Sequence, residues 1–166
     1  KIIAQFVNAL VSFKLGRNYF NNRSIIRTLI WGEIGRDNIE KSTGDNLVGI
    51  MTKLSYSRFQ CSDMIKNGLL SWLVKHMEEV EYSLSKYHLQ CVTALLRNLL
   101  RGCNLDNLIP IEITKLIVLL GRYLDTENAT AKSFIYDSLG ILFQNEKIVK
   151  ASKELNFQRI IEDHLT

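Results

Sequence analysis

The sequence predicts an all-α solenoid of stacked helical repeats, and three observations carry that prediction. Apolar residues recur at helical spacing along almost the whole chain, as in Ile3, Phe6, Val7, Leu10 and Phe13, and again in Leu89, Val92, Leu95, Leu96, Leu99 and Leu100. Alternating polar and apolar segments, the mark of half-buried strands, are absent from the reading. A motif also returns along the chain: VGIMTKL (Val48–Leu54), VTALLRNL (Val92–Leu99) and YDSLGILF (Tyr136–Phe143).

Aligning Gly49, Ala94 and Ser138 brings Ile50, Leu95 and Leu139 into register, followed by Leu54, Leu99 and Phe143. A looser copy surrounds Ala9–Leu10, so the steps are about 40, 45 and 44 residues, within the ~40–47 of armadillo and HEAT repeats. The small residue lets the backbones of neighbouring long helices approach closely. A unit that cannot cover its own apolar faces must stack on its neighbours. The expected architecture is an armadillo-type right-handed superhelix, a single domain segment over residues 1–166 with about three full repeats and partial repeats at its ends.

The elements follow in order. Ile2–Phe13 reads as a leading third helix. The next unit uses Leu15–Asn22, Ile25–Ile34 and Asp45–Tyr56. The unit from Arg58 to Gly102 shows the armadillo order most clearly, with Phe59–Lys66, Leu69–Glu79 and Ser85–Arg101. A further unit begins near Leu105, continues through Ile111–Leu124 and closes with Ala129–Gln144; Lys147–Asn156 and Phe157–Leu165 trail it. The breaks fall at Gly16–Arg17–Asn18, Ser42–Thr43–Gly44, Asn67–Gly68, Gly102–Cys103–Asn104 and Asp125–Asn128. Gly68 suits the residue past a helix end, where positive φ is needed, and Pro110 suits a first helical turn.

Composition narrows the class. Hydrophobic residues make up 46% of the 166, enough for a core without disulfides or metals. The net charge of +4, from 21 basic and 17 acidic residues, favours acidic partners such as tubulin tails or nucleic acid only mildly. Cys61, Cys91 and Cys103 form an odd set without a CxxC pair, which points to a reducing compartment and to thiols packed as small hydrophobes. No apolar run reaches the ~20 residues of a membrane span. The amphipathic opening KIIAQFVNALVSFKLG lacks a cleavage signal, and the chain reads as a piece of a longer soluble protein.

Chemistry-bearing clusters are sparse. His88 and Cys91 sit three apart on one helix, a spacing that suits a nucleophile–base or metal pair, but no orienting carboxylate is evident from sequence and Cys91 belongs to the apolar face. His76 reads as part of a solvated helix end. Glu78, Glu79 and Glu81 lack the alternating spacing of a calcium loop. No glycine-rich phosphate loop follows a strand. Neither catalysis, nor a cofactor, nor a small-molecule substrate is expected. Arg17, Arg23, Arg27 and Arg36 occur with Tyr19, Phe20 and Trp31, a mixture that can bind single-stranded nucleic acid. At these spacings the aromatics read as core and the arginines fall on several faces, so nucleic acid is not the expected partner.

A protein-binding groove is the better prospect. Third helices line the concave side of an armadillo stack, which places Arg97, Asn98 and Arg101 there, with Lys53 and Arg58 from the preceding unit. Guanidinium groups pair with carboxylates, and an asparagine amide can clamp an extended peptide backbone. Lys53 and Leu142 replace Asn98 in the neighbouring repeats, so there is no asparagine ladder of the nuclear-import kind. Trp31 and Trp72 fall on second helices, packed between layers.

One likeness is more specific. DNLVGIMTKLSYSRFQCSDMIKNGLLSWLVKHM (Asp45–Met77) and LSKYHLQCVTALLRNLLRG (Leu84–Gly102), with LGRNYF (Leu15–Phe20) before them and SLGILF (Ser138–Phe143) after, resemble the LisH-domain armadillo family known as armadillo repeat-containing protein nine. The marks are the KLS close of one repeat, the MI-x-x-GL-x-x-WLV second helix around Trp72, and the LS-x-Y-x-L entry to ALL-x-NL. The resemblance implies a non-catalytic scaffold of the ciliary basal body, centriole and ciliary tip, in the cytoplasm and cytoskeleton. It also implies protein partners that include TOG-domain microtubule-associated proteins and tubulin. The LisH domain and coiled coil of that family are not part of the matching stretch, and no catalytic residues carry over.

Overall fold

The computed structural model describes residues 1–34, 36, 39–80, 84–108 and 110–154. Among the described residues ten α-helices follow one another: α1 (Ile2–Leu10), α2 (Lys14–Asn21), α3 (Ser24–Ile34), α4 (Lys41–Leu54), α5 (Arg58–Lys66), α6 (Leu69–Val80), α7 (Lys86–Gly102), α8 (Pro110–Tyr123), α9 (Ala129–Leu142) and α10 (Glu146–Glu154). A single 3₁₀ turn, Leu105–Asn107, precedes α8. Among the described residues there is no strand. The expected helix Phe157–Leu165, with Glu81, lies outside the described residues, as does the side chain of Arg27.

The long helices form a ladder. α4 packs on α1, α7 on α4, and α9 on α7, while α5 and α6 cover the flank of α7 and α8 backs onto α6 and α9. This is an armadillo-like helical solenoid, and the repeated motif lies on the rungs. Ile50, Leu95 and Leu139 are all buried at equivalent places on α4, α7 and α9. The central rung, α7, is buried through most of its girth, His88, Thr93 and Asn98 included, because it has a neighbouring long helix on each side. At the first rung, α1, the apolar residues Ile2, Ile3 and Phe6 are largely exposed.

Local chemistry sets the helix ends. Ser85 accepts the backbone N–H of His88, capping α7, and Asn128 accepts that of Ala131, capping α9. Gly68 closes α5 with φ of 85°, its N–H donating to the Ile65 carbonyl, as the Asn67–Gly68 pair predicts.

Two expected breaks are helical instead. Ser42–Thr43–Gly44 forms the first turn of α4: the N–H groups of Thr43 and Gly44 both donate to the Glu40 carbonyl, and Ser42 Oγ donates to the Glu40 carboxylate. Small polar residues of weak interior propensity suit that opening turn because their side chains satisfy backbone and cap groups there. Gly16–Arg17–Asn18 lies inside α2, and the break falls at Val11–Phe13. Gly16 serves close approach, since a Cβ there would sit 2.1 Å from the Leu10 carbonyl oxygen. Arg17 reaches back and donates to the carbonyls of Val11 and Ser12, finishing α1.

The small motif residue at Gly49 makes room for side chains as well as backbone. A Cβ there would meet the Tyr87 hydroxyl at 2.4 Å and the Asn8 amide at 3.1 Å, where α1, α4 and α7 converge. Gly49→Ala is expected to cost about 1–2 kcal/mol, the overpacking exceeding the gain in helix propensity. Gly49→Ala/Tyr87→Phe is expected to lose less than the two single variants summed, because removing the hydroxyl vacates the contested space. Additive losses in urea denaturation would refute this account of the glycine.

Candidate functional site

Four of the five residues expected to line the groove meet at one cavity. Arg97, Asn98 and Arg101 come from α7 and Arg58 from the start of α5; with Ser55 and Tyr56 they border an open cavity of about 330 Å³. The turn after α4 brings α5 back beside the last turns of α7, so residues one repeat apart share a wall.

Asn98 has a different task from peptide clamping. It is only 6% exposed. Its Nδ2 donates to Ser55 Oγ at 2.9 Å, and its Oδ1 accepts from Arg97 Nε at 3.3 Å and Nη2 at 3.1 Å. The amide is thus used inside the protein, tying α7 to the end of α4 and holding Arg97 in place. Arg97 also lies over the Phe134 ring, its Cζ 4.4 Å from the centroid. Its Nη1 is 3.5 Å from Asp137 Oδ2, and Arg101 Nη2 is 3.7 Å from the same oxygen. These long, shared pairs are weak. Arg58 is exposed and has no ion pair among the described residues. The cavity therefore gathers three guanidinium groups, two of them sharing Asp137, with the exposed ring of Tyr56 on its border.

Lys53 is not at this cavity. Its Nζ donates to the Asn8 carbonyl at 2.9 Å and to Asn8 Oδ1 at 2.6 Å, joining α4 to α1. Burial holds its pKa below the usual lysine range.

The histidines form a second cluster. His88 Nδ1 bonds Asp45 Oδ1 at 2.5 Å, and its Nε2 lies 2.9 Å from His76 Nε2. Asp45 is the orienting carboxylate that sequence reading did not find. The ring of His76 stacks on Trp72 (centroids 4.8 Å apart, planes at 10°), and Trp72 meets Trp31 edge-on at 5.7 Å. His76 is therefore part of an interlayer chain rather than a solvated helix end, and the two tryptophans do pack between α3 and α6. With Nδ1 of His88 donating to the carboxylate, its Nε2 accepts from His76. Burial, aided by His88, pulls His76 down to about 4, and burial also lowers His88 against the opposing pull of Asp45.

Cys91 is no activated partner for His88, because burial pushes its thiol up, and burial raises Cys61 to about 11. Cys61, Cys91 and Cys103 are all free thiols. Among the described residues no three His, Cys, Asp or Glu side chains converge as a ready metal set. No helix is long and apolar enough to cross a membrane, among those same residues.

The other basic group is dispersed. Arg17 finishes α1, Arg23 lies over Tyr19 with Cζ 4.5 Å from the centroid, and Arg36 pairs with Glu33 at 3.0 Å. Phe20 is buried. Arg17 also lies over the Tyr56 ring, its Cζ 5.7 Å from the centroid.

A family model described as LisH domain-containing protein ARMC9, ARM repeats, matches residues 64–166. The LisH domain-containing protein ARMC9 of Danio rerio is 26% identical over 158 residues, 95% of this chain and 19% of its own length. That of Xenopus laevis is 27% identical over 161 residues, covering 95% and 20%, and that of Homo sapiens is 24% identical over 159 residues, covering 96% and 19%. The chain thus spans about a fifth of the length of these curated relatives. No solved structure matches.

Proposed function

The chain belongs to the armadillo-repeat family of LisH domain-containing protein ARMC9, and on that premise we propose that it is a docking segment in cilium assembly and stability, at the basal body, centriole or ciliary tip. As an armadillo-repeat unit it is a protein-interaction scaffold. The finer reading is that it docks microtubule-associated partners, TOG-domain proteins and tubulin among them. The observation that carries the docking surface is the cavity that gathers Arg58, Arg97 and Arg101, of which Arg97 and Arg101 share the Asp137 carboxylate. Excess positive charge beside an exposed aromatic ring suits an acidic protein segment, attracting it at long range and pairing with its carboxylates on contact.

The alternative is a generic cytosolic adaptor that grips an extended peptide backbone along the groove. It loses its main residue, because the Asn98 amide is taken by Ser55 and Arg97.

Reversing two exposed charges tests the site. Arg58→Glu/Arg101→Glu is expected to weaken binding of a glutamate-rich tubulin-tail peptide roughly tenfold, each lost or reversed surface pair contributing up to about 1 kcal/mol. Wild-type affinity, measured by fluorescence anisotropy, should fall as salt rises. Unchanged affinity in the double variant would move docking off this cavity. For the cellular reading, a tagged full-length protein is expected at basal bodies or ciliary tips, and a diffuse cytosolic or nuclear signal would count against it.

A further inference from the structure

We propose that His76 and His88 form the core of a binding site for a zinc-class divalent metal ion, oriented by Asp45 and opening on the cavity between α3, α4 and α6. The argument starts with the two Nε2 atoms. They come from different helices, α6 and α7, and face each other at 2.9 Å. Two nitrogens bound to one tetrahedral zinc ion, each at about 2.0–2.1 Å, lie about 3.3 Å apart. For an ion to replace the proton between them, the nitrogens must part by a few tenths of an ångström and each ring must tilt so that its lone pair points off the line joining the two atoms.

The surroundings prepare both rings. Asp45 holds His88 by Nδ1, which fixes the tautomer, leaves the Nε2 lone pair free and raises its basicity. Ser85 Oγ, at 3.3 Å from the other Asp45 oxygen, steadies the carboxylate. Stacking on Trp72 fixes the plane of His76. On binding, the His76 proton moves from Nε2 to Nδ1 of the same ring, so the ion meets two neutral imidazoles and no net proton is lost.

The remaining coordination positions are open. A cavity of about 420 Å³ is bordered by His76, His88, Trp72 and Glu79, room enough for several waters. Glu79 borders the same cavity but does not converge with the two rings as a third ligand, so water fills the other positions. Its partner, Lys75, is 3.6 Å away and exposed. Arg36 also borders the cavity, but its charge is met by Glu33. Imidazole donors select zinc-like ions over calcium and magnesium. Two side-chain nitrogens with exchangeable waters make an open site, unlike the closed four-ligand set of a structural zinc.

The test is a titration of chelator-stripped chain with zinc chloride at pH 7.5, followed by calorimetry and by NMR of the imidazole nitrogens. One ion per chain is expected, with the His76 and His88 Nε2 signals shifting together. Asp45→Asn should weaken binding tenfold to a hundredfold, and His76→Gln should abolish it while the chain keeps its helical circular dichroism. Absence of zinc binding at 100-fold excess over chain, or His76 and His88 signals that do not respond, would overturn the proposal. So would undiminished binding in His76→Gln, which would place the ion on a thiol such as Cys103. The NMR result stands on the wild-type chain alone, so a variant that fails to fold leaves the decision intact.

Discussion

Leu95→Ala is expected to lower the free energy of unfolding by about 3–5 kcal/mol, the upper range for deleting a buried leucine. Leu95 is 0% exposed and occupies the middle of α7, the rung that packs against both α4 and α9. Truncation removes the transfer energy of three carbon groups and leaves a cavity bordered by helices of two neighbouring repeats. Those helices are pinned by cross-repeat hydrogen bonds, such as Thr52 Oγ1 to the Cys91 carbonyl at 3.0 Å, so the space cannot readily collapse. In a solenoid each repeat touches only its neighbours, and a defect in the middle rung uncouples the units on either side. The equivalent change at Leu139, on the last rung of the ladder, is therefore expected to cost less. Urea denaturation of the two variants decides the point. A smaller loss at Leu95 than at Leu139 would mean that the repeats do not act as a coupled stack.

The ladder was legible because one physical requirement repeats along it. Ile50, Leu95 and Leu139 must each be buried between long helices, and that requirement leaves the same apolar pattern at every step. The helix limits that sequence reading misplaced were those set by polar detail. Ser42 and Gly16 carry turn-forming chemistry, yet one opens a helix and the other permits a close crossing. The basic cavity was legible in outline, since Arg58, Arg97 and Arg101 were placed on facing elements. The role of Asn98 was not, because its partner Ser55 lies 43 residues away and the bond depends on how α4 and α7 are offset. Asp45 and His88 are also 43 apart, close to the repeat period. A search for complementary polar residues one repeat apart would have found both pairs. It would also have found Asn8 with Asn46, 38 apart. In a stacked-repeat chain that offset is a signal in its own right, as informative for polar contacts as the heptad is for apolar ones.

Acidification is expected to remove about 2–3 kcal/mol of stability through the same histidine pair. His76 is held neutral in the fold down to about pH 4, chiefly by burial and then by His88, whereas in the unfolded chain it titrates near 6.5. Between those values the unfolded chain binds a proton that the folded chain does not, so stability rises with pH across the window. The contribution is therefore fully present above about pH 6.5 and declines as pH falls towards 4. His88 adds in the same direction, since burial lowers it too, although Asp45 opposes that shift. Glu79 and Asp45 favour protonated His76, and Lys41 disfavours protonated His88, but burial outweighs each of them. Chemical denaturation in chelator at pH 7.5, 6 and 5 should trace a steady loss. In His76→Gln the slope over that range should flatten markedly, leaving the smaller share of His88. An equal slope in both proteins would assign the acid sensitivity to other groups. The chelator matters, because an ion held between the rings would stabilise the fold at neutral pH and be expelled by the same protons, steepening the decline.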